Sequence, residues 1–222
     1  MKLDKISTFY KNKKVLIIGH TGFKGSWLTL CLKNLGSKIY GISIDVPTKP
    51  SHYKLTKINN KINDYRIDIR KYNEFKKKIL KIKPDIIFHF AAQSLVKESF
   101  KDPYKTWSTN LMGSINLLEI LKNANFLRKI SVVIITSDKC YKNLNKKKGY
   151  VESDILGDYE PYGASKAAVE LVFHSYFNSF FKNRKNLSLA TARAGNVIGG
   201  GDWSKDRILP DLIKSLKSKQ IL

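Results

Sequence analysis

The chain reads as an α/β protein built on a doubly wound parallel sheet, and three observations say so. Its apolar runs, "VLIIG", "DIIFHFAA" and "ISVVIITS" among them, are continuous rather than alternating, as in strands buried on both faces. Segments with apolar residues at helical spacing separate these runs. The first run passes directly into "GHTGFKGSW", a turn with three evenly spaced glycines that opens the next helix.

The elements follow in order. "KKVLIIG" (13–19) is a buried strand, and "KGSWLTLCLKNLG" is a helix stopped at Gly36. "KIYGISID" (38–45) is the second strand. Residues 46–63 form a polar loop with Pro47 and Pro50. "DYRIDI" (64–69) is a short third strand, and "KYNEFKKKILKIK" a helix halted before Pro84. "DIIFHFAA" is the fourth strand. Residues 103–123 read as one long helix with Pro103 in its first turn. "ISVVIITS" (130–137) is the fifth strand. Residues 161–181 are a second long helix opened by a proline, and "LSLATARAG" is the sixth strand. The long polar excursion at 142–160 suggests a functional loop rather than a domain boundary.

The 222 residues are 42% hydrophobic and 27% charged, enough for one substantial core. No apolar run approaches the roughly 20 residues of a membrane span, and the N-terminus lacks a secretory pattern. With only Cys31 and Cys140, free thiols and a cytoplasmic location are expected. The net charge of +23 would suit an anionic partner. The lysines, however, are scattered over nearly every segment instead of gathering with aromatics on one element. That pattern fits composition drift plus a mildly cationic nucleotide site better than nucleic-acid binding.

The glycine turn has the context its chemistry needs. Gly19 permits the sharp turn, Gly22 lets backbone N–H groups approach a pyrophosphate, and Gly25 lets helix and strand pack closely. The helix N-terminus then offers its partial positive charge to the phosphates. Asp45, about 20 residues on, stands where a carboxylate accepts hydrogen bonds from an adenosine ribose and repels a 2′-phosphate, which favours NAD over NADP. Thr21, Phe23 and Lys24 complete the cofactor turn. Lys24 opposes the helix dipole, so a phosphate is expected within its reach.

In "YGASK", Tyr162 and Lys166 lie four apart on one helix face. An ammonium beside a phenol favours phenolate, which makes the pair a candidate general base. Ser137 and Asp138, at the carboxyl end of the fifth strand, offer a hydroxyl and a carboxylate nearby, or else cap that strand end. Lys139 reads equally as solvated or functional. His89, inside an apolar strand, reads as structural. The other histidines show no metal-ligand spacing, so no metal is expected.

These motifs, with "DIR" (68–70), "AAQ" (91–93) and "AGNVIGGGDW", resemble the extended short-chain dehydrogenase/reductases that act on nucleotide sugars. "GHTGFKGSWL", "AAQSLV", "TSDKCY" and "GNVIGGGDW…DRILPD" resemble most the branch of 4,6-dehydratases acting on CDP-glucose. The resemblance covers the whole chain. It implies a Rossmann-type fold, NAD, and dehydration of CDP-glucose to CDP-4-keto-6-deoxyglucose, a step toward deoxysugars of surface polysaccharides. The alternatives are a dehydratase or epimerase of a dTDP-, UDP- or GDP-sugar, and an inactive NAD-binding fragment. It also implies roles for particular residues. Asp68 and Ile69 would border the adenine, and Ala91, Ala92 and Gln93 would line the ribose and phosphate path. Ser94, Asn196 and Arg207 would face the substrate, with Asp138 as acid and Lys139 in place of a related glutamate base. The family pairs through its long helices, here 103–123 and 161–182, so a homodimer is expected. Residues 1–195 would form the NAD-binding domain and 196–222 the start of a substrate-binding domain that is largely missing.

Overall fold

A computed structural model describes residues 3–218. Its centre is a six-stranded, wholly parallel sheet in the order β3-β2-β1-β4-β5-β6. The strands are β1 Lys14–Ile18, β2 Lys38–Ser43, β3 Asn63–Arg66, β4 Ile86–His89, β5 Ile130–Ile135 and β6 Leu187–Ala192. Strand order reverses between β1 and β4, which creates a crevice at their carboxyl ends. Val15 to Ile18 are fully buried, and successive side chains feed two different cores. Leu16 and Ile18 join one with Ile87, Val132 and Ile134, while Val15 and Ile17 join the other with Leu32, Ile39 and Ile86. Both faces of the sheet are therefore covered, as the continuous apolar runs require.

The helices of the sequence reading appear as α2 Phe23–Asn34, α4 Tyr72–Ile82 and α8 Pro161–Tyr176. Phe75, Ile79 and Ile82 form the buried stripe of α4. The chain also forms α1 Leu3–Tyr10, α3 His52–Leu55, α5 Val96–Lys101, α6 Pro103–Trp107, α7 Gly113–Asn123 and α9 Ile208–Ser218. Residues 219–222, the end of the C-terminal segment, lie outside the described residues.

Four expectations need correction. The helix over 161–181 ends as α8 at Tyr176 and passes into a π-turn at Phe177–Phe181. The helix over 103–123 is not continuous, because a π-turn at Ser108–Met112 separates α6 from α7. There the buried Asn110 side chain accepts from Gln93 N at 2.8 Å and donates to Gln93 O at 3.0 Å, pinning the turn to the end of β4. The 46–63 loop contains α3 and a 3₁₀ turn at Ile58–Lys61, anchored by fully buried Tyr53 and Ile58. Finally, β2 ends at Ser43, two residues before Asp45, where Thr21 Oγ1 donates to Asp45 O at 2.5 Å.

Candidate active site

The glycine turn sits where β1 meets the crevice. Gly19 has φ +91°, and a Cβ there would lie 2.6 Å from Ala91 N, so only glycine fits. A Cβ on Gly25 would come within 2.1 Å of Gly19 O, which locks α2 against the turn. Gly22 is different. Its added Cβ would meet nothing nearer than 3.5 Å, so the fold itself leaves room for a side chain. Gly22 is also the N-cap of α2 and supplies no capping side chain, so the first-turn N–H groups lack that partner. A pyrophosphate fits both facts. Gly22→Ala is accordingly expected to keep the unfolding midpoint within a few degrees. NAD affinity, measured by titration calorimetry, should fall about tenfold or more, as close backbone approach is worth at least 1.4 kcal/mol.

Around this turn the predicted cofactor residues take distinct places. The Asp45 carbonyl is used by Thr21, while the residue itself is exposed. Asp68 is bound by Arg70 through three side-chain contacts of 2.7–3.0 Å, which hold its carboxyl below the usual range. Ile69 is buried against Gly113, where an added Cβ would lie 2.3 Å away. Phe23 is partly buried and packs near Gly199. Ala91 and Ala92 line the end of β4, half-buried. The Gln93 amide turns inward, bonded to Leu95 and Thr106.

The candidate catalytic residues converge from helix α8 and the turn after β5. Helix α8 begins at Glu160, whose carboxylate accepts from Tyr162 N at 2.7 Å and Gly163 N at 2.6 Å. A Cβ on Gly163 would lie 2.6 Å from Lys139 O, so α8 rests directly on the turn Asp138–Cys140. Tyr162 is buried, and burial raises its pKa. A hydrogen-bonding approach of Ser137 and the charge of Arg207 pull the other way. The Lys166 ammonium is buried and donates to Ile135 O at 3.2 Å. Burial first, and the Lys24 charge second, push its pKa down to about 8. Ser137 donates to Asp138 at 3.0 Å, and Asp138 N is held by Ala194 O at 3.1 Å. Asp138 and Lys139 are exposed, as are Ser94 and Asn196.

Lys24 points toward this group. Burial lowers its pKa, the charge of Arg207 lowers it further, and Asp138 raises it. Lys24, Lys166 and Arg207 thus concentrate positive charge around Tyr162 and Asp138, a field suited to an anionic substrate. Arg207 Nε is buried without a hydrogen-bond partner. His89 behaves as the strand pattern suggested: burial, then the charge of Lys166, push it down to about 3.

Sequence reasoning missed Asn110, which also donates to Ser165 on α8 at 2.9 Å. It missed Glu170 and Arg193, a buried pair at 3.1 Å beside the reactive turn. Glu170 did carry a signal, since it lies four residues beyond Lys166 on the same face. The described residues contain no group of three or more His, Cys, Asp or Glu side chains able to hold a metal ion. None of their helices is long and apolar enough to cross a membrane.

A parallel sheet with a glycine turn at its switch point, faced by a tyrosine–lysine helix, defines a Rossmann-type domain of the nucleotide-binding class. Residues 16–192 match the family described as GDP-mannose 4,6 dehydratase, and the chain belongs to that family. It is 44% identical to CDP-glucose 4,6-dehydratase of Salmonella typhimurium over 98% of this chain and 61% of that protein. It is 30% identical to dTDP-D-glucose 4,6-dehydratase of Dictyostelium discoideum, over 92% of this chain and 48% of the relative. Among solved structures, the Thermus thermophilus UDP-glucose 4-epimerase in complex with NAD superposes with a TM-score of 0.74 at 26% identity. That match covers 87% of this chain and 58% of the epimerase. The chain therefore spans about half to three-fifths of the length of these relatives.

Proposed function

We propose that the chain is the NAD-binding and catalytic part of a CDP-glucose 4,6-dehydratase. The observation that carries this reading is the meeting of Tyr162 and Lys166 on α8 with Ser137 and Asp138 at the carboxyl end of β5, beside a glycine turn open at Gly22. The 44% identity to a CDP-glucose 4,6-dehydratase supports the choice of sugar nucleotide. Residues 1–195 supply the cofactor half, and 196–222 begin the substrate side.

The open N-terminus of α2 and the turn Gly19–Gly25 would hold the pyrophosphate of NAD, with Asp45 at its ribose and Asp68 and Ile69 near its adenine. NAD supplies a hydride acceptor that takes hydrogen from the sugar's C4 and returns it at C6. Tyr162 accepts the proton of the 4-hydroxyl, and Ser137 hydrogen-bonds the same oxygen. Lys166, buried and cationic, favours the phenolate. The 4-ketone then acidifies C5–H; a base takes that proton, and Asp138, as the carboxylic acid, gives one to the 6-hydroxyl, which leaves as water. Lys139 is exposed; as the base for C5 it would have to be held neutral by burial or by nearby cations. Arg207, whose buried Nε has no hydrogen-bond partner and lies 3.8 Å from Asp202, suits a diphosphate oxygen. The exposed faces of Tyr104 on α6, Leu171 on α8 and Phe180 in the π-turn Phe177–Phe181 that follows it support pairing of two copies through the long helices.

The chain incubated with NAD and CDP-glucose should yield a product lighter by one water, seen by mass spectrometry. A parallel panel of dTDP-, UDP- and GDP-glucose should react less well. Preferred turnover of one of those would reassign the substrate. NAD binding without turnover of any sugar would reduce the chain to a cofactor-binding module.

A further inference from the structure

We infer that Arg193 is a positioning residue: with Glu170 and Tyr141 it ties the turn bearing Ser137, Asp138 and Lys139 to the helix bearing Tyr162 and Lys166. The naming of that turn as catalytic rests on the function proposed above; the tie itself rests on geometry alone.

The turn is gripped at both ends. On its N-terminal side, Thr136 Oγ1 donates to the fully buried Glu170 carboxylate at 2.5 Å. The same carboxylate accepts from Thr191 at 3.0 Å and from Arg193 at 3.1 Å. These contacts outweigh the upward push of burial and hold Glu170 below its ordinary pKa. On the C-terminal side, Arg193 donates to Tyr141 Oη at 2.8 Å, and its guanidinium lies 4.8 Å from the centre of that ring. Arg193 also donates to Glu152 O at 3.1 Å, and Tyr141 stacks on Tyr150 at 5.0 Å. One planar fork therefore bridges helix α8, the end of β6, the reactive turn and the 142–160 excursion.

A generic stabilising role explains this arrangement poorly. Buried ion pairs roughly break even against apolar replacements, and both apolar cores are complete without this one. What the pair fixes is register. Glu170 is one helical turn beyond Lys166, so anchoring it sets the height of α8 against the turn. Only a guanidinium reaches a carboxylate and a phenol at once while stacking on the ring, and a lysine cannot.

Cys140, the last residue of the turn and fully buried, is a built-in reporter, because alkylation requires the turn to lift. The exposed Cys31 is first replaced by serine. Iodoacetamide labelling of Cys140 is then followed at fixed pH in the parent, Arg193→Lys, Tyr141→Leu and Tyr141→Phe. Loss of a hydrogen bond to a charged group corresponds to labelling about tenfold or more faster in Arg193→Lys and Tyr141→Leu. That rate should not change with low urea, the mark of local opening. Tyr141→Phe, which keeps the ring under the guanidinium, should fall between these and the parent. Unchanged labelling in both disruptive variants overturns the inference. So does labelling that climbs with urea as steeply as global unfolding, which would make Arg193 a general stabiliser. Should Arg193→Lys fail to fold, Tyr141→Leu, which leaves the Glu170–Arg193 pair in place, decides the matter. The outcome does not depend on turnover, so it stands apart from the fate of the proposed function.

Discussion

If the chain acts as proposed, replacing Tyr162 with phenylalanine is expected to slow water loss from CDP-glucose by about 10²–10⁴-fold, the range of a positioned general base, with NAD affinity little changed. The argument is geometric. Tyr162 is set within reach of Ser137 at the carboxyl end of β5, and Gly163 beside it lets α8 sit on the turn Asp138–Cys140. Phenylalanine keeps the ring, the helix and the Glu160 cap, whose bonds go to backbone N–H groups. Only the acid–base function is removed. Burial places the phenol above its ordinary pKa, with Ser137 and Arg207 opposing that rise. The parent rate should therefore climb with pH through the neutral range, and the variant's residual rate should lose that dependence. A pH–rate profile by mass spectrometry checks both. A reduction of less than tenfold would remove Tyr162 from the role of base.

What the sequence disclosed and what it concealed follow a physical division. The β1–turn–α2 unit was legible because its constraints are local: Gly19 needs its positive φ, and Gly25 has no space for a Cβ. Tyr162 and Lys166 were legible because helical periodicity alone places them on one face. The break in the 103–123 helix was not, because its cause is Asn110 pairing with the backbone of Gln93 across the fold. The short helix after β2 was hidden for a similar reason. Between two prolines and a run of polar residues, Tyr53 looks like a loop aromatic, yet its hydroxyl reaches Asp64 at 2.5 Å and its ring is fully buried. Arg193 looked like an ordinary residue at a strand end. Its significance depends on Glu170 and Tyr141, which only the fold brings together. Lys24 was legible as an anomaly, an unfavourable charge at a helix start. Its proximity to Lys166, Arg207 and Asp138 came only with the structure.

That crowding of cations makes the protein less stable than it need be, and Lys166→Met is expected to expose the cost. The Lys166 pKa falls from 10.5 in the unfolded chain to about 8 in the folded one, with burial the main cause and the Lys24 charge next. Below pH 8 the side chain is charged in both states, and the folded protein bears the full penalty, about 3 kcal/mol. Between pH 8 and 10.5 the unfolded state binds the proton that the folded state has lost. Stability therefore rises with pH across that window, and the penalty is gone above it. Methionine has a similar reach and no charge. It forfeits the bond to Ile135 O, worth about 1 kcal/mol. The net expectation at pH 7 is a gain of about 2 kcal/mol, lost progressively relative to the parent as pH approaches 10.5. On the proposed function, in which Lys166 assists the Tyr162 base, turnover should also fall. Urea melts of the parent and the variant from pH 7 to 10.5 test this. In Lys24→Met, with one neighbouring charge removed, the parent's rise in stability should begin at higher pH. Equal stabilities of the parent and Lys166→Met at pH 7, with no rise in the parent above pH 8, would mean that the buried ammonium is not strained by its surroundings.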